Sequence, residues 1–170
     1  SVSIAAHFRH AVDAAADKVW LLTESETLTY QDALRRVERA ASALRTLGVE
    51  VSDRVVVTPR NTAEYLLTWL ALMEVGAIQV PVNPSSLPAE ITGFIGQADP
   101  VAIVTDSELS GTVTAAVAEV RSTATIAHVD QLFRAEPDGR GPSAVADDAV
   151  AVMIPTSGTT GRSKLVMQTH

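Results

Sequence analysis

The chain contains no cysteine, which excludes disulfides, thiolate-bound metal and a cysteine nucleophile. The same absence is compatible with a reducing cytoplasm, the expected location. Long hydrophobic runs are also missing: the longest, Tyr65 to Met73, is closed by Glu74 and falls short of the ~18–20 residues that a membrane span needs. The amino-terminal stretch S-V-S-I-A-A-H-F-R-H is broken by polar residues before the apolar core of a secretory signal can form. Basic surplus is lacking as well, with thirteen Lys and Arg against twenty Asp and Glu and a net charge of −7. No basic stripe with interleaved aromatics offsets it, so a nucleic-acid partner is not expected, and an anionic ligand has to be held locally. The four histidines form no ligand pattern: His7 and His10 are spaced i, i+3 on a predicted first helix, His128 stands alone and His170 is the last residue. They are read as surface or packing residues, and no metal site is expected.

What is present describes a globular unit. With 170 residues, 46% of them apolar, the chain has the size and composition for one domain with a real core. Tyr30, Leu34, Val37, Ala41, Leu44 and Leu47 alternate in steps of four and three, which predicts a helix over 30–47. Thr29 with Asp32 supplies a capping pair at its start, and Gly48 suits the left-handed position after its end. The β-branched run D-R-V-V-V-T-P reads as a buried strand, and Asn61 with Glu64 caps a second predicted helix over 65–75, closed by Gly76.

The alternation continues with a strand over 78–82, a helix over 88–97, a strand over 101–105, a helix over 110–121 and strands over 125–129 and 149–154. Near the start, 19–23 and 27–30 flank E-S-E as a small hairpin. Repeated β-α units imply an α/β fold, a mostly parallel sheet with helices on both faces. The segment A-E-P-D-G-R-G-P-S-A-V-A-D-D, 135–148, interrupts this rhythm and reads as a solvated loop within one domain. Tyr65 and Trp69, spaced i, i+4, and Phe94 are assigned to core packing rather than to an aromatic pocket.

One stretch carries chemistry. P-T-S-G-T-T-G-R-S-K-L-V, 155–166, follows an apolar strand and gathers Thr156, Ser157, Gly158, Thr159, Thr160, Gly161 and Lys164 within nine residues. Glycines let backbone N–H groups approach a phosphate, hydroxyls donate to it, and a lysine supplies a flexible cation. A P-loop is excluded because Gly161 and Lys164 are separated by Arg162 and Ser163, and a second apolar start at Leu165–Val166 suggests a strand rather than a helix. A dinucleotide fingerprint fails too, since only the last half of G-x-G-x-x-G is there. From composition alone the same loop serves equally as a solvated turn.

The loop T-S-G-T-T-G-R-S-K-L-V is similar to the signature [ST]-S-G-[ST]-T-G-x-P-K-G-V of the adenylate-forming superfamily, which includes acyl- and aryl-CoA ligases, nonribosomal peptide adenylation domains and luciferases. L-T-Y-Q-D-A-L-R-R-V-E-R-A-A-S-A-L-R-T-L-G-V and D-R-V-V-V-T-P-R-N-T-A-E-Y-L-L-T-W-L-A-L-M-E-V-G-A-I-Q-V-P-V-N-P extend the resemblance from about Leu28 to His170. It implies that Thr156, Ser157, Gly158, Thr159, Thr160, Gly161 and Lys164 surround the β- and γ-phosphates of Mg²⁺-ATP. The implied reaction joins a carboxylic acid to AMP and then to a thiol, commonly coenzyme A, with an acyl or small organic acid as substrate.

Two departures stand out. Ser163 and Leu165 replace the usual Pro and Gly on either side of the lysine, which removes a fixed φ and adds a side chain. The resemblance also covers only about the first third of such an enzyme. The ribose-binding aspartate, the acyl pocket and the carboxyl-terminal lysine of the family all come later. Residues 1–170 are therefore expected to form a partial amino-terminal AMP-binding domain ending just after the loop, holding no catalytic residue and inactive alone. Its uncovered sheet edge and apolar face are expected to be covered by the remainder of the enzyme or by self-association. Two other readings remain open at this point: a non-catalytic nucleotide-binding or interaction module, and a fragment of a peptide-synthetase adenylation domain.

Overall fold

The computed structural model describes residues 3–146, 148–157 and 163–169. Helix α1 (Ile4–Ala15) is capped by Ser3, whose hydroxyl accepts the Ala6 N–H at 3.2 Å, and is followed by an antiparallel hairpin of β1 (Val19–Leu22) and β2 (Thr27–Thr29). Helix α2 (Tyr30–Thr46) begins at the expected capping box: Thr29 Oγ1 accepts the Asp32 N–H at 3.1 Å, and the Asp32 carboxylate accepts the Thr29 N–H at 3.2 Å. Its predicted stripe is the buried one, Leu34, Val37, Ala41 and Leu44. Arg35, Arg36 and Arg39 face outward into ion pairs such as Arg36 with Glu26 at 2.9 Å.

The β-branched run forms β3 (Arg54–Val57), followed by α3 (Ala63–Val75) and β4 (Ile78–Pro81). Then come α4 (Pro88–Ala98), β5 (Ala102–Thr105), α5 (Ser110–Val120) and β6 (Thr125–His128). The last two strands are β7 (Val150–Ser157) and β8 (Ser163–Thr169). The larger sheet has the order β6-β5-β3-β4-β7-β8, parallel except for β8, which runs antiparallel to β7. One face packs on α1, α2 and α3 through Val55, Val57, Ala102 and Val104. The opposite face packs on α4 and α5 through Val56, Val80, Ile103 and Val113. Helices thus cover both faces, as the β-α alternation required, because each strand's alternate side chains must be buried on both sides.

Three local features differ from the sequence reading. The cap of α3 is Thr62, which accepts the Tyr65 N–H, and not Asn61, and the helix body begins at Ala63 rather than at Tyr65. Val129 belongs to a short 3₁₀ helix (Val129–Arg134) and not to β6; the His128 Nδ1 accepts the Asp130 N–H at 3.3 Å and turns the chain there. The segment 135–146 is no free loop. Arg45 donates to both Asp138 carboxylate oxygens at 3.1 and 3.2 Å and to the Gly141 carbonyl at 3.2 Å, and the Ser143 N–H donates to the Glu74 carbonyl at 2.8 Å. These bonds strap it across the ends of α2 and α3.

Candidate functional site

Parallel strands deliver their carboxyl ends to one edge of the sheet, where open α/β folds hold ligands. Here that edge collects the residues after β3, β4, β5, β6 and β7: β7 leads toward the chemistry-bearing loop beside the Asn83–Ser86 turn that follows β4, while Arg60, Asp106 and His128 lie further along the same edge, at or just past the ends of β3, β5 and β6. β4 and β7 are direct neighbours, with Gln79 opposite Val152. Beyond Pro155 the β7 and β8 backbones stay paired, with Thr156 opposite Lys164 and Ser157 opposite Ser163. The hairpin therefore brings three of the seven candidate residues, Thr156, Ser157 and Lys164, to its closed end. Gly158, Thr159, Thr160 and Gly161 lie outside the described residues. Ser163 and Leu165, the two departures from the signature, sit in β8 with extended backbone, where neither proline's fixed φ nor glycine's freedom is needed.

A cleft of about 470 Å³ opens beside β7, lined by Pro81, Asn83, Ser86, Glu90, Phe94, Ile154 and Pro155. Phe94 is mostly buried, in keeping with its assignment to the core, but it also forms part of the apolar floor of that cleft. The Asn83–Ser86 turn is held by its own side chain: Asn83 Oδ1 accepts the Ser85 N–H at 2.9 Å. Its sequence signal, an Asn-Pro pair after a strand, marks a turn but says nothing about what the turn faces.

A second polar group at the same edge joins the ends of β3 and β5. Thr58 and Thr105 hydroxyls bond at 2.8 Å and are fully buried. Arg60 Nε donates to Asp106 at 2.9 Å, its terminal nitrogen reaches Glu108 at 3.1 Å, and the Leu109 N–H donates to the other Asp106 oxygen at 3.0 Å. Burial alone would raise the Asp106 carboxyl, but the Arg60 bond and the backbone donors hold it below the usual carboxylate range. Tyr65 donates to the same carboxylate at 3.4 Å, and burial, reinforced by the Asp106 charge, pushes its hydroxyl up to about 12. Tyr65 is thus a protonated donor at neutral pH and not only a core side chain. Trp69, one turn on, packs against the core as expected.

The whole carboxyl edge, with its Gly/Thr hairpin, has a counterpart among known proteins. A family model described as AMP-binding enzyme matches residues 8–170. The chain belongs to the AMP-binding enzyme family. Among its relatives, the hybrid PKS-NRPS synthetase traA of Penicillium crustosum is 34% identical over 95% of this chain and 4% of that protein. The putative acyl-CoA ligase YdaB of Bacillus subtilis is 29% identical over 85% of this chain and 31% of its own length. The ATP-bound MatB from Rhodopseudomonas palustris superposes with a TM-score of 0.84 and 27% identity over 98% of this chain and 35% of that one. The chain spans about a third or less of each of these relatives. Its fold is that of the amino-terminal part of an adenylate-forming AMP-binding enzyme, and no helix among the described residues is long and apolar enough to cross a membrane.

Proposed function

We propose that this chain is the amino-terminal part of an ATP-dependent carboxylic acid–CoA ligase. The observation that carries this reading is the family match across residues 8–170, which includes a Gly/Thr loop closed by a hairpin with Thr156 opposite Lys164. Thr156, Ser157, Gly158, Thr159, Thr160, Gly161 and Lys164 would hold the β- and γ-phosphates of ATP. The donor inventory fits a polyphosphate: two glycines give backbone access, hydroxyls donate, and the lysine supplies charge in a chain that is otherwise acidic. Magnesium bound with the nucleotide would add neutralising charge there.

In the first step a substrate carboxylate oxygen attacks the α-phosphorus, a P–O bond to pyrophosphate breaks, and an acyl-adenylate forms. In the second, a thiolate sulfur attacks the acyl carbon and AMP departs. The loop's contribution is electrostatic: donors aimed at the departing pyrophosphate lower the barrier most where its charge develops. Residues needed for the acyl pocket and for ribose lie outside this stretch, so the 170-residue chain by itself is expected to be inactive. A specific observation favours a second reading, an adenylation domain that passes its acyl group to a carrier-protein thiol. It is the 34% identity to a hybrid synthetase.

The test uses a polypeptide extending this chain to the length of its relatives. Carboxylate-dependent exchange of pyrophosphate into ATP is expected, and Thr160→Ala with Lys164→Ala should reduce it by roughly 100-fold, the scale of losing transition-state donors. Unchanged exchange in the double variant sinks the phosphate assignment. Acyl transfer to coenzyme A, against transfer only to a carrier protein, separates the two readings.

A further inference from the structure

The strap formed by 135–146 closes over a cavity that the adenylate-forming reading does not use. It has a volume of about 400 Å³ and lies where the carboxyl ends of α2 and α3 meet, away from the carboxyl edge of the sheet. Cavities of roughly 300–1,000 Å³ are the size that takes small organic ligands. Its walls divide into three kinds. Val51, 44% exposed, makes an aliphatic side, backed by Val49 and Val75, each 2% exposed. Arg140, carried by the strap, makes a cationic side, and Glu50, just past α2, makes an anionic one.

The charges in this cavity are not equally available. Arg45 also lines it, but its side chain is only 9% exposed and its terminal nitrogens are committed to Asp138 and Gly141, so it fixes the strap rather than the contents. The Arg140 guanidinium makes neither hydrogen bond nor salt bridge among the described residues; only its backbone N–H is used, donating to Asp138. The Glu50 carboxylate is likewise uncommitted there, its backbone N–H being the group that bonds, to Asp53 at 2.8 Å. Helix carboxyl ends carry about half a negative charge each, so the α2 and α3 ends add to the Glu50 side and favour a cation there.

Among the described residues, a guanidinium that makes no hydrogen bond, though its charge also acts on Asp138, an uncommitted carboxylate reinforced by two helix ends, and an aliphatic side complement a zwitterion with a branched aliphatic side chain. We propose that this cavity is a binding site for a free aliphatic α-amino acid, its carboxylate toward Arg140, its ammonium toward Glu50 and the helix ends, and its side chain on the valines. The site shares no lining residue with the cleft beside β7, and its occupancy would tie the strap to the ends of α2 and α3.

The experiment is a titration of the ¹⁵N-labelled 170-residue chain with L-leucine, followed at the amides of Gly48, Glu50, Val51, Arg140 and Ser143. Saturable shifts are expected with a dissociation constant of about 1 mM or tighter, and with at least roughly tenfold weaker binding of 4-methylpentanoate, which lacks the ammonium, and of isoamylamine, which lacks the carboxylate. Arg140→Ala and Glu50→Gln, both at exposed positions, should each weaken leucine by roughly tenfold while leaving amide shifts elsewhere unchanged. Absence of saturation at about 20 mM overturns the proposal. So does equal binding of either analogue, or undiminished binding by both variants.

Discussion

At the scale of single residues, the most consequential is Glu74, a carboxylate on the last turn of α3 that is 1% exposed in a helix otherwise buried on apolar contacts. Arg9 of α1 meets it with two guanidinium nitrogens on one oxygen, Nε at 2.8 Å, and lies 3.4 Å from Glu38 of α2. Burial alone would lower the Arg9 pKa, but the bond and charge of Glu74, with Glu38 and Asp13, raise it above its ordinary value. Removing one partner of such a pair leaves the other charge buried and uncompensated, which costs more than the pair's own attraction. Arg9→Met should therefore destabilise the chain by about 3 kcal/mol, the low end of the range for breaking a buried pair, because Arg9 is 28% exposed. Adding Glu74→Gln to that variant should restore part of the loss. A urea-unfolding double-mutant cycle measures this, and additive losses would show that the two residues do not act as a pair.

At the scale of elements, the end of α3 shows how a single backbone conformation organises a longer segment. Gly76 has φ +83 and closes the helix, and a Cβ there would lie 2.9 Å from Val145 of the strap and 3.3 Å from Val51. Gly76→Ala has both problems at once: left-handed backbone costs roughly 1–2 kcal/mol for a residue with Cβ, and the methyl pushes the strap outward. The expected result is a lower urea midpoint with faster trypsin cleavage after Arg140. Unchanged cleavage would mean that the strap's position does not depend on this contact. The same element shows what sequence periodicity can carry. The stripe of α2 and its capping box were legible because both are local, set by spacing along one helix. Thr62 in place of Asn61 was not, since two adjacent residues can each cap and packing chooses between them. The strap was read as solvated because its Pro, Gly and acidic content favours water, and only the distant Arg45 and Glu74 carbonyl hold it down. The candidate loop was legible as a motif. The polar group of Arg60, Tyr65 and Asp106 was not, because Arg60 and Asp106 follow two strands, lie 46 residues apart in sequence and meet only through sheet order, with Tyr65 joining them from α3.

At the scale of the whole molecule, three carboxylates in separate elements share one property, and together they set how the fold responds to acid. Asp32 is held below its ordinary value by the Thr29 N–H and hydroxyl. At Asp106 burial works the other way but is exceeded by Arg60 and backbone donors, and at Asp138 it is exceeded by the Arg140 N–H and Arg45. A carboxylate whose folded pKa is depressed contributes stability that is fully present above its unfolded value, about 3.9, and is lost as pH falls through the folded value. The three sites share no partner, so their contributions should add. Asp32 is the most open of the three and Asp138 and Asp106 keep part of their surface in water, so each contribution is modest and weakened by salt. The urea midpoint should therefore stay level from about pH 7 to 5 and fall progressively below that. The triple variant Asp32→Asn, Asp106→Asn, Asp138→Asn should start lower and fall less steeply. The difference between the two curves should shrink as salt is raised to about 1 M, where the screening length drops to roughly 3 Å. Parallel acid limbs would place the acid sensitivity in other groups. A gap that persists at high salt would assign these carboxylates a hydrogen-bonding role with little long-range charge in it, because short bonds to N–H donors survive screening while attraction across solvent does not.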